Sequence, residues 1–186
     1  MTTAEFLAFF RAELLAKHEA SAPVDVMAWV EAAGLPADAP VPESSLFGAV
    51  DAELARLRAG TNATELRTDG WVTQQWLRFL NDLEPIDPER LGELDEAFQF
   101  TRSKNSEILA AWLEVAVANN HRAVDRRLDL FLMTVGRRKF LVPLYRALLA
   151  AEDGKTRALA VYERARPRYH AVSKRTLDDM LGYRPQ

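Results

Sequence analysis

Cysteine is absent from this 186-residue chain, which removes disulfides, zinc–thiolate centres and thiol nucleophiles together. Histidine is almost absent, with only His18, His121 and His170. A zinc peptidase helix carries His-Glu-x-x-His, so that two imidazoles one turn apart face the metal. The single His-Glu pair, His18-Glu19, runs on into Ala20-Ser21-Ala22 and lacks the second imidazole. The 8 glycines are dispersed, none within two residues of another, so there is no glycine-rich phosphate loop. Gly-x-Ser-x-Gly is missing too, and each Ser or Thr beside an apolar run reads as a helix cap rather than a nucleophile. No apolar run approaches the ~18–20 residues needed to span a bilayer. The first residues, MTTAEFLAFFRAELLAKHE, carry an early acid and no small-residue cleavage site, which is not the pattern of a signal peptide. Alternating apolar–polar runs and Asn-Gly hairpin signals are also lacking, so the expected class is all-α.

The composition present is ordinary for a globular protein, with 48% hydrophobic and 27% charged residues. A net charge of −3 hides an asymmetry. Residues 1–100 hold 7 Lys and Arg against 18 Asp and Glu, whereas residues 101–186 hold 17 against 9. Such a split marks either a partner-binding face on the basic part or two parts that attract each other. Nucleic acid is the poorer partner, because the aromatics of the basic part lie on apolar helix faces and not among the cations.

The stretch Asn105–Phe140 organises the rest. Its first run puts Ile108, Trp112, Val115 and Ala116 on one face and Leu109, Leu113 and Val117 on the next, with only Glu107 and Glu114 charged. A helix apolar over most of its circumference is sandwiched between neighbours. The second run keeps Val124, Leu128, Phe131, Leu132 and Val135 at helical spacing and stops at Gly136. Upstream, Thr2 and Glu5 form a capping-box start. A helix from Val26 to Ala33 stops at Gly34, and Ser44 or Ser45 caps another that ends at Gly60. Thr73 caps the Trp76-Leu77 helix, and Asp87-Pro88 opens the next with proline in its first position. Downstream, Leu141, Leu144, Tyr145 and Leu148 line one helix, Ala158, Val161, Tyr162 and Ala165 a second, and Lys174–Leu181 a third. Short connections predict an irregular array of antiparallel helical hairpins, an armadillo/HEAT-like α-α superhelix without a repeated motif. The four tryptophans, Trp29, Trp71, Trp76 and Trp112, read as core or strap anchors.

One cluster stands above this background: Gly136-Arg137-Arg138-Lys139-Phe140. Pro143 belongs in an opening turn, which places a helix start near Phe140 and the three cations around it. Cations there oppose the macrodipole, whereas an anion gains free backbone N–H groups as well as the side chains. Forked guanidinium contacts suit a carboxylate or phosphate. Spacing alone leaves this reading level with that of a solvated basic turn.

The ordered set Asn105-Ser106-Glu107-Ile108, Trp112-Leu113, Gly136-Arg137-Arg138-Lys139-Phe140 and Pro143-Leu144-Tyr145 resembles the C-terminal helical domain of the leukotriene A-4 hydrolase and aminopeptidase B family of gluzincin zinc aminopeptidases. Trp29 through Gly34-Leu35-Pro36, the proline-punctuated segment after it, and Tyr169-His170-Ala171-Val172-Ser173 agree in kind. The resemblance implies a division into residues 1–35, the last helices of a preceding catalytic domain and its link, a proline-rich strap over 36–45, and a helical-repeat domain over 46–186. It also implies a non-catalytic chain that walls the active-site cleft of a longer enzyme. Residue by residue, the family's substrate-carboxylate ligands fall on Arg137 and Lys139, with Arg138 at the variable position between them. The expected partners are the chain's own catalytic domain and a short peptide bound through its carboxylate, with no nucleic acid and no membrane. Zinc is expected only in the catalytic domain, with no cofactor in this chain, and the expected compartment is the cytoplasm. The alternative from a different class is a free-standing helical-repeat scaffold for protein–protein interaction.

Overall fold

The computed structural model describes residues 1–17, 25–37, 39–40, 44–83 and 86–184. His18, Glu19, the Ser21-Ala22-Pro23 break and part of the proline-rich segment lie outside the described residues. Two compact units result, Met1–Glu43 and Ser44–Gln186.

In the first unit, α1 (Thr3–Phe10) starts at the expected capping box: Thr2 Oγ1 accepts the Glu5 N–H at 3.3 Å, and Glu5 Oε2 accepts that of Thr2 at 2.6 Å. The helix widens into a π-helical turn over Arg11–Leu15. Asp25 caps α2 (Val26–Glu31), accepting the N–H groups of Met27 and Ala28 at 3.1 Å each. Ala32, in extended backbone, follows α2, and Gly34 takes a left-handed φ of 83°. Leu7 is the one buried residue among those described here, and Trp29 is 44% exposed, so it is no core anchor within this unit.

Among its described residues the second unit has helices as its regular elements, the α-helices being α3 (Ser45–Arg58), α4 (Thr73–Asn81), α5 (Glu89–Phe98), α6 (Ser106–Ala118), α7 (Asp125–Thr134), α8 (Arg138–Ala150), α9 (Gly154–Ala165) and α10 (Ala171–Leu181). The strongest packing links α6 to α8 and α4 to α6; the consecutive pairs α8–α9 and α3–α4 follow with α7 on α9, and α10 packs on α8. Between α4 and α8 lies α6, with Leu109, Trp112, Leu113, Val115, Ala116 and Val117 all buried, as a helix apolar around most of its girth requires. Only glycine fits at the start of α9, since a Cβ on Gly154 would sit 1.6 Å from the Leu148 carbonyl oxygen. That close approach folds α9 back on α8.

Besides the start of α8, described below, and α2, which ends at Glu31 and not at Ala33, three boundaries differ from the sequence expectation. Val72, not Thr73, is the N-cap of α4, because Gln75 Oε1 accepts the Val72 N–H at 3.2 Å while Thr73 Oγ1 accepts from Asn105 Nδ2 at 3.0 Å. Pro88 is the N-cap of α5 and not its first helical residue; the Asp87 carboxylate accepts the Glu89 N–H at 3.0 Å. Finally, α10 starts three residues early, because His170 Nδ1 accepts the Val172 N–H and so caps it.

Candidate functional site

The cationic cluster is the junction between α7 and α8. Gly136 sits between Val135, where the chain turns extended after Thr134, and Arg137, the extended N-cap of α8 (φ −72°, ψ 120°). The helix begins at Arg138, two residues before the start inferred from Pro143. Pro143 lies inside α8 and leaves the Lys139 carbonyl without the N–H it would otherwise receive one turn later. That tolerated loss moves Arg138 and Lys139 from the turn into the first helical turn itself.

All three cations are exposed. The Arg137 guanidinium stands 5.8 Å from the centre of the Phe140 ring, and Lys139 Nζ stands 4.8 Å from the same ring. Phe140 is buried, with its edge against Phe131 at 5.9 Å, so it gives both cationic heads a fixed ring to stand against. Lys139 Nζ pairs with Glu107 Oε1 in the first turn of α6. Among the described residues, Arg137 and Arg138 face no carboxylate within ion-pair distance. The N–H groups of Phe140 and Leu141 both reach the Arg137 carbonyl, at 3.0 and 3.1 Å. Those of Arg138 and Lys139 have no partner among the described residues and point along the positive end of the helix dipole.

Chemically this is an anion seat: one unpaired guanidinium, a second beside it, an ammonium, and two free N–H groups. Glu107 shows how a carboxylate meets Lys139. With both side chains more than a third exposed, such a pair contributes only ~0–1 kcal/mol, so an incoming carboxylate can displace it at little cost. Next to the seat, a cleft of about 210 Å³ opens between α4, α6 and α8, lined by Leu77, Asn81, Glu107, Ala110, Lys139 and Phe140 among others. Farther along this cleft, burial raises the Glu114 carboxyl above its usual range, opposed by the nearby charge of Arg146.

From behind, the junction is tied to the chain around Tyr169. Tyr169 Oη donates to the Leu132 carbonyl at 2.6 Å, Ser173 Oγ donates to the Gly136 carbonyl at 3.2 Å, and Arg168 reaches the Met133 carbonyl at 3.4 Å. These partners lie 35 to 37 residues away in sequence, and no local pattern announces them. Sequence reasoning gave Tyr169 and Ser173 only as part of a family likeness, and gave Glu107 no role.

No group of three or more His, Asp or Glu that could hold a metal occurs among the described residues. His121 lies at the α6–α7 turn, 6.1 Å from the Trp112 ring, and His170 is a cap. Of the tryptophans in this unit, Trp112 is fully buried, while Trp71 and Trp76 are partly buried against the core.

Comparison with known proteins agrees with this architecture. The yeast LTA4 hydrolase, solved in complex with bestatin, superposes with a TM-score of 0.74 over 97% of this chain and 33% of that one, at 22% identity, which speaks for the fold. Leucine aminopeptidase 2 of Neurospora crassa is 30% identical over 185 residues, 95% of this chain and 27% of the relative. Aminopeptidase B of Rattus norvegicus is 26% identical over 87 residues, 45% of this chain and 13% of the relative. The chain thus spans about a quarter or less of these curated relatives. The model of the family described as leukotriene A4 hydrolase, C-terminal, matches residues 71–181, more than half of the chain and the whole of α4 to α10. The chain belongs to the family of leukotriene A4 hydrolase C-terminal domains.

Proposed function

We propose that this chain is the C-terminal part of a longer zinc aminopeptidase, and that Arg137 and Lys139 hold the terminal carboxylate of its short peptide substrate. One observation carries the reading: an unpaired, Phe140-supported guanidinium stands at the start of α8, beside an ammonium that already donates to a carboxylate. In this reading residues 1–35 complete the catalytic domain and 36–45 form the strap leaving it. In this reading the metal belongs to the catalytic part. Bound zinc would supply Lewis-acid activation of water and of the scissile carbonyl.

This chain's contribution is orientation. A carboxylate fixed by a bidentate guanidinium and an ammonium sets the register of the peptide, and a misplacement of ~1 Å at a reacting centre can cost ~100-fold in rate. Arg138 points from the same turn but lacks the Phe140 rest described for its neighbours, and its part is secondary. Membership of an enzyme-domain family over residues 71–181 favours this reading over a free-standing scaffold.

In the complete enzyme, Arg137→Ala should raise KM for a tripeptide with a free carboxylate by one to two orders of magnitude, roughly the 2–3 kcal/mol of a charge-assisted contact. Turnover of an uncharged aminoacyl arylamide should stay within about twofold by the same reasoning, since it has no carboxylate to lose. Equal losses on both substrates would refute the carboxylate role.

A further inference from the structure

The seat's cations are exposed and its backbone is a bare turn, yet the turn is fastened from a distant part of the chain. We propose that Tyr169 and Ser173 are positioning residues for the anion-binding turn, acting as a clamp that fixes where Arg137 and Lys139 stand. The proposal rests on the carboxylate-binding reading above.

The need for a clamp follows from how α7 ends. The last four carbonyls of a helix have no partner within it. Among these, Leu132 would take the N–H of residue 136, but α7 stops at Thr134 and the chain turns away. The Leu132 carbonyl is buried with its residue, so its hydrogen bond has to come from elsewhere. It comes from Tyr169 Oη at 2.6 Å. Having spent its only proton there, Tyr169 Oη must accept in its 3.2 Å contact with Tyr145 Oη. The relay therefore runs from Tyr145 in α8, through Tyr169, to the end of α7, and ties together both helices flanking the seat. Ser173, 3% exposed, adds the second tie on the Gly136 carbonyl, immediately before Arg137. A Cδ1 of Tyr169 lies 3.9 Å from where a Gly136 side chain would begin, so ring and turn are also in contact. Neither hydroxyl is near enough in sequence to serve α7 or α8 as an ordinary cap; Tyr169 sits on the segment joining α9 to α10, and Ser173 in the first turn of α10. With the two hydroxyls removed, Gly136 and Arg137 keep only the single-turn bonds from Phe140 and Leu141 to the Arg137 carbonyl.

The test pairs Tyr169→Phe and Ser173→Ala in the complete enzyme, each assayed on trialanine and on trialanine amide. The expected result is a KM for the free acid raised about tenfold, part of the ~100-fold that a ~1 Å misplacement can cost, with kcat/KM for the amide within twofold. Equal effects on acid and amide, or no effect on either, overturn the proposal. Hydrogen exchange in this chain provides the second readout: the Phe140 and Leu141 amides should exchange faster in both variants, while those of Leu113 and Ala116 in α6 stay as they were. Unchanged exchange, or a uniform rise across all helices, likewise overturns the clamp. If Arg137→Ala, run alongside, fails to separate acid from amide, the carboxylate reading falls, and the exchange data alone decide whether the clamp stands.

Discussion

Around Trp76 the rings of Trp71, Phe98 and Phe100 stand 4.9 to 5.3 Å away, and Phe100 passes the contact on to Trp112 at 5.2 Å. Around Tyr162 the rings of Tyr145, Tyr183 and Tyr169 stand 5.6, 5.3 and 6.1 Å away. The two clusters are alike in geometry and opposite in chemistry. The first, at α4 to α6, is all Trp and Phe, and its polar business ends with Trp112 Nε1 donating to Thr101 Oγ1 at 2.9 Å. The second, at α8 to α10, carries a hydroxyl on every ring, and those of Tyr145, Tyr162 and Tyr169 are spent on backbone carbonyls, on one another and on Asp178. Apolar burial is non-directional and roughly proportional to area, so the first cluster contributes stability without fixing one placement. Hydrogen bonds are directional, each adding only ~1 kcal/mol net. The second cluster therefore contributes less stability per ring and more positional definition, and it is the one that lies behind the cationic turn.

The largest effect should come from the apolar side. Trp112→Ala removes the largest fully buried side chain, and the expected cost is ~3–5 kcal/mol at any pH, measured by denaturant unfolding. A cost under ~1 kcal/mol would mean the aromatic cluster is not the main support of the fold.

Next comes Asp178, whose carboxylate takes a forked pair of bonds from Arg166 at 2.9 and 2.8 Å and a third from Tyr162 Oη at 2.8 Å. Arg166 chiefly, against some opposing burial, holds this carboxyl below the usual range. Asp178→Asn should cost ~2 kcal/mol at pH 7, since bonds to a charged group are worth ~1.5–3 kcal/mol. A depressed pKa in the folded state means the added stability is full above the unfolded value, about 3.9, and disappears as pH falls through the folded one. Wild type and variant should thus converge below about pH 4, whereas Trp112→Ala should keep its deficit there. A gap that persists unchanged at low pH would remove the charge from the account.

The smallest effect belongs to Tyr145→Phe. Burial, with the neighbouring Tyr169, pushes the Tyr145 hydroxyl well above its ordinary range, and burial also pushes Tyr169 up to about 12. Deleting the Tyr145 hydroxyl leaves the shape intact and should cost ~1 kcal/mol. Its effect on Tyr169 is specific: with no donor left on its oxygen, the Tyr169 hydroxyl should titrate higher still, seen by ultraviolet difference titration. A lower titration point would reverse the assigned direction of the relay.

Much of this was legible locally. The girth of apolar residues in α6 required neighbours on both sides, and α4 and α8 supply them. Gly60, at a left-handed φ, closed α3 where the pattern predicted. The basic turn after Gly136 was visible as a run of three cations, and the family resemblance named Arg137 and Lys139 within it. Pro143 misled by two residues, because a helix can forgo one hydrogen bond when its apolar face is well buried, as Phe140, Leu141, Leu144, Tyr145 and Leu148 are. Thr73 misled because a hydroxyl beside a helix start can be claimed by a distant side chain, here Asn105.

By itself, then, the sequence determined the helices, their buried faces and the place of the cationic turn, all of which depend on residues within a turn or two of one another. Only the tertiary structure decided that Glu107 meets Lys139, that Tyr169 completes the end of α7 and that Ser173 holds Gly136. Those contacts join residues 32 to 37 apart. Periodicity records which face of a helix is buried; it carries no information about which distant hydroxyl satisfies the carbonyls left open where that helix ends.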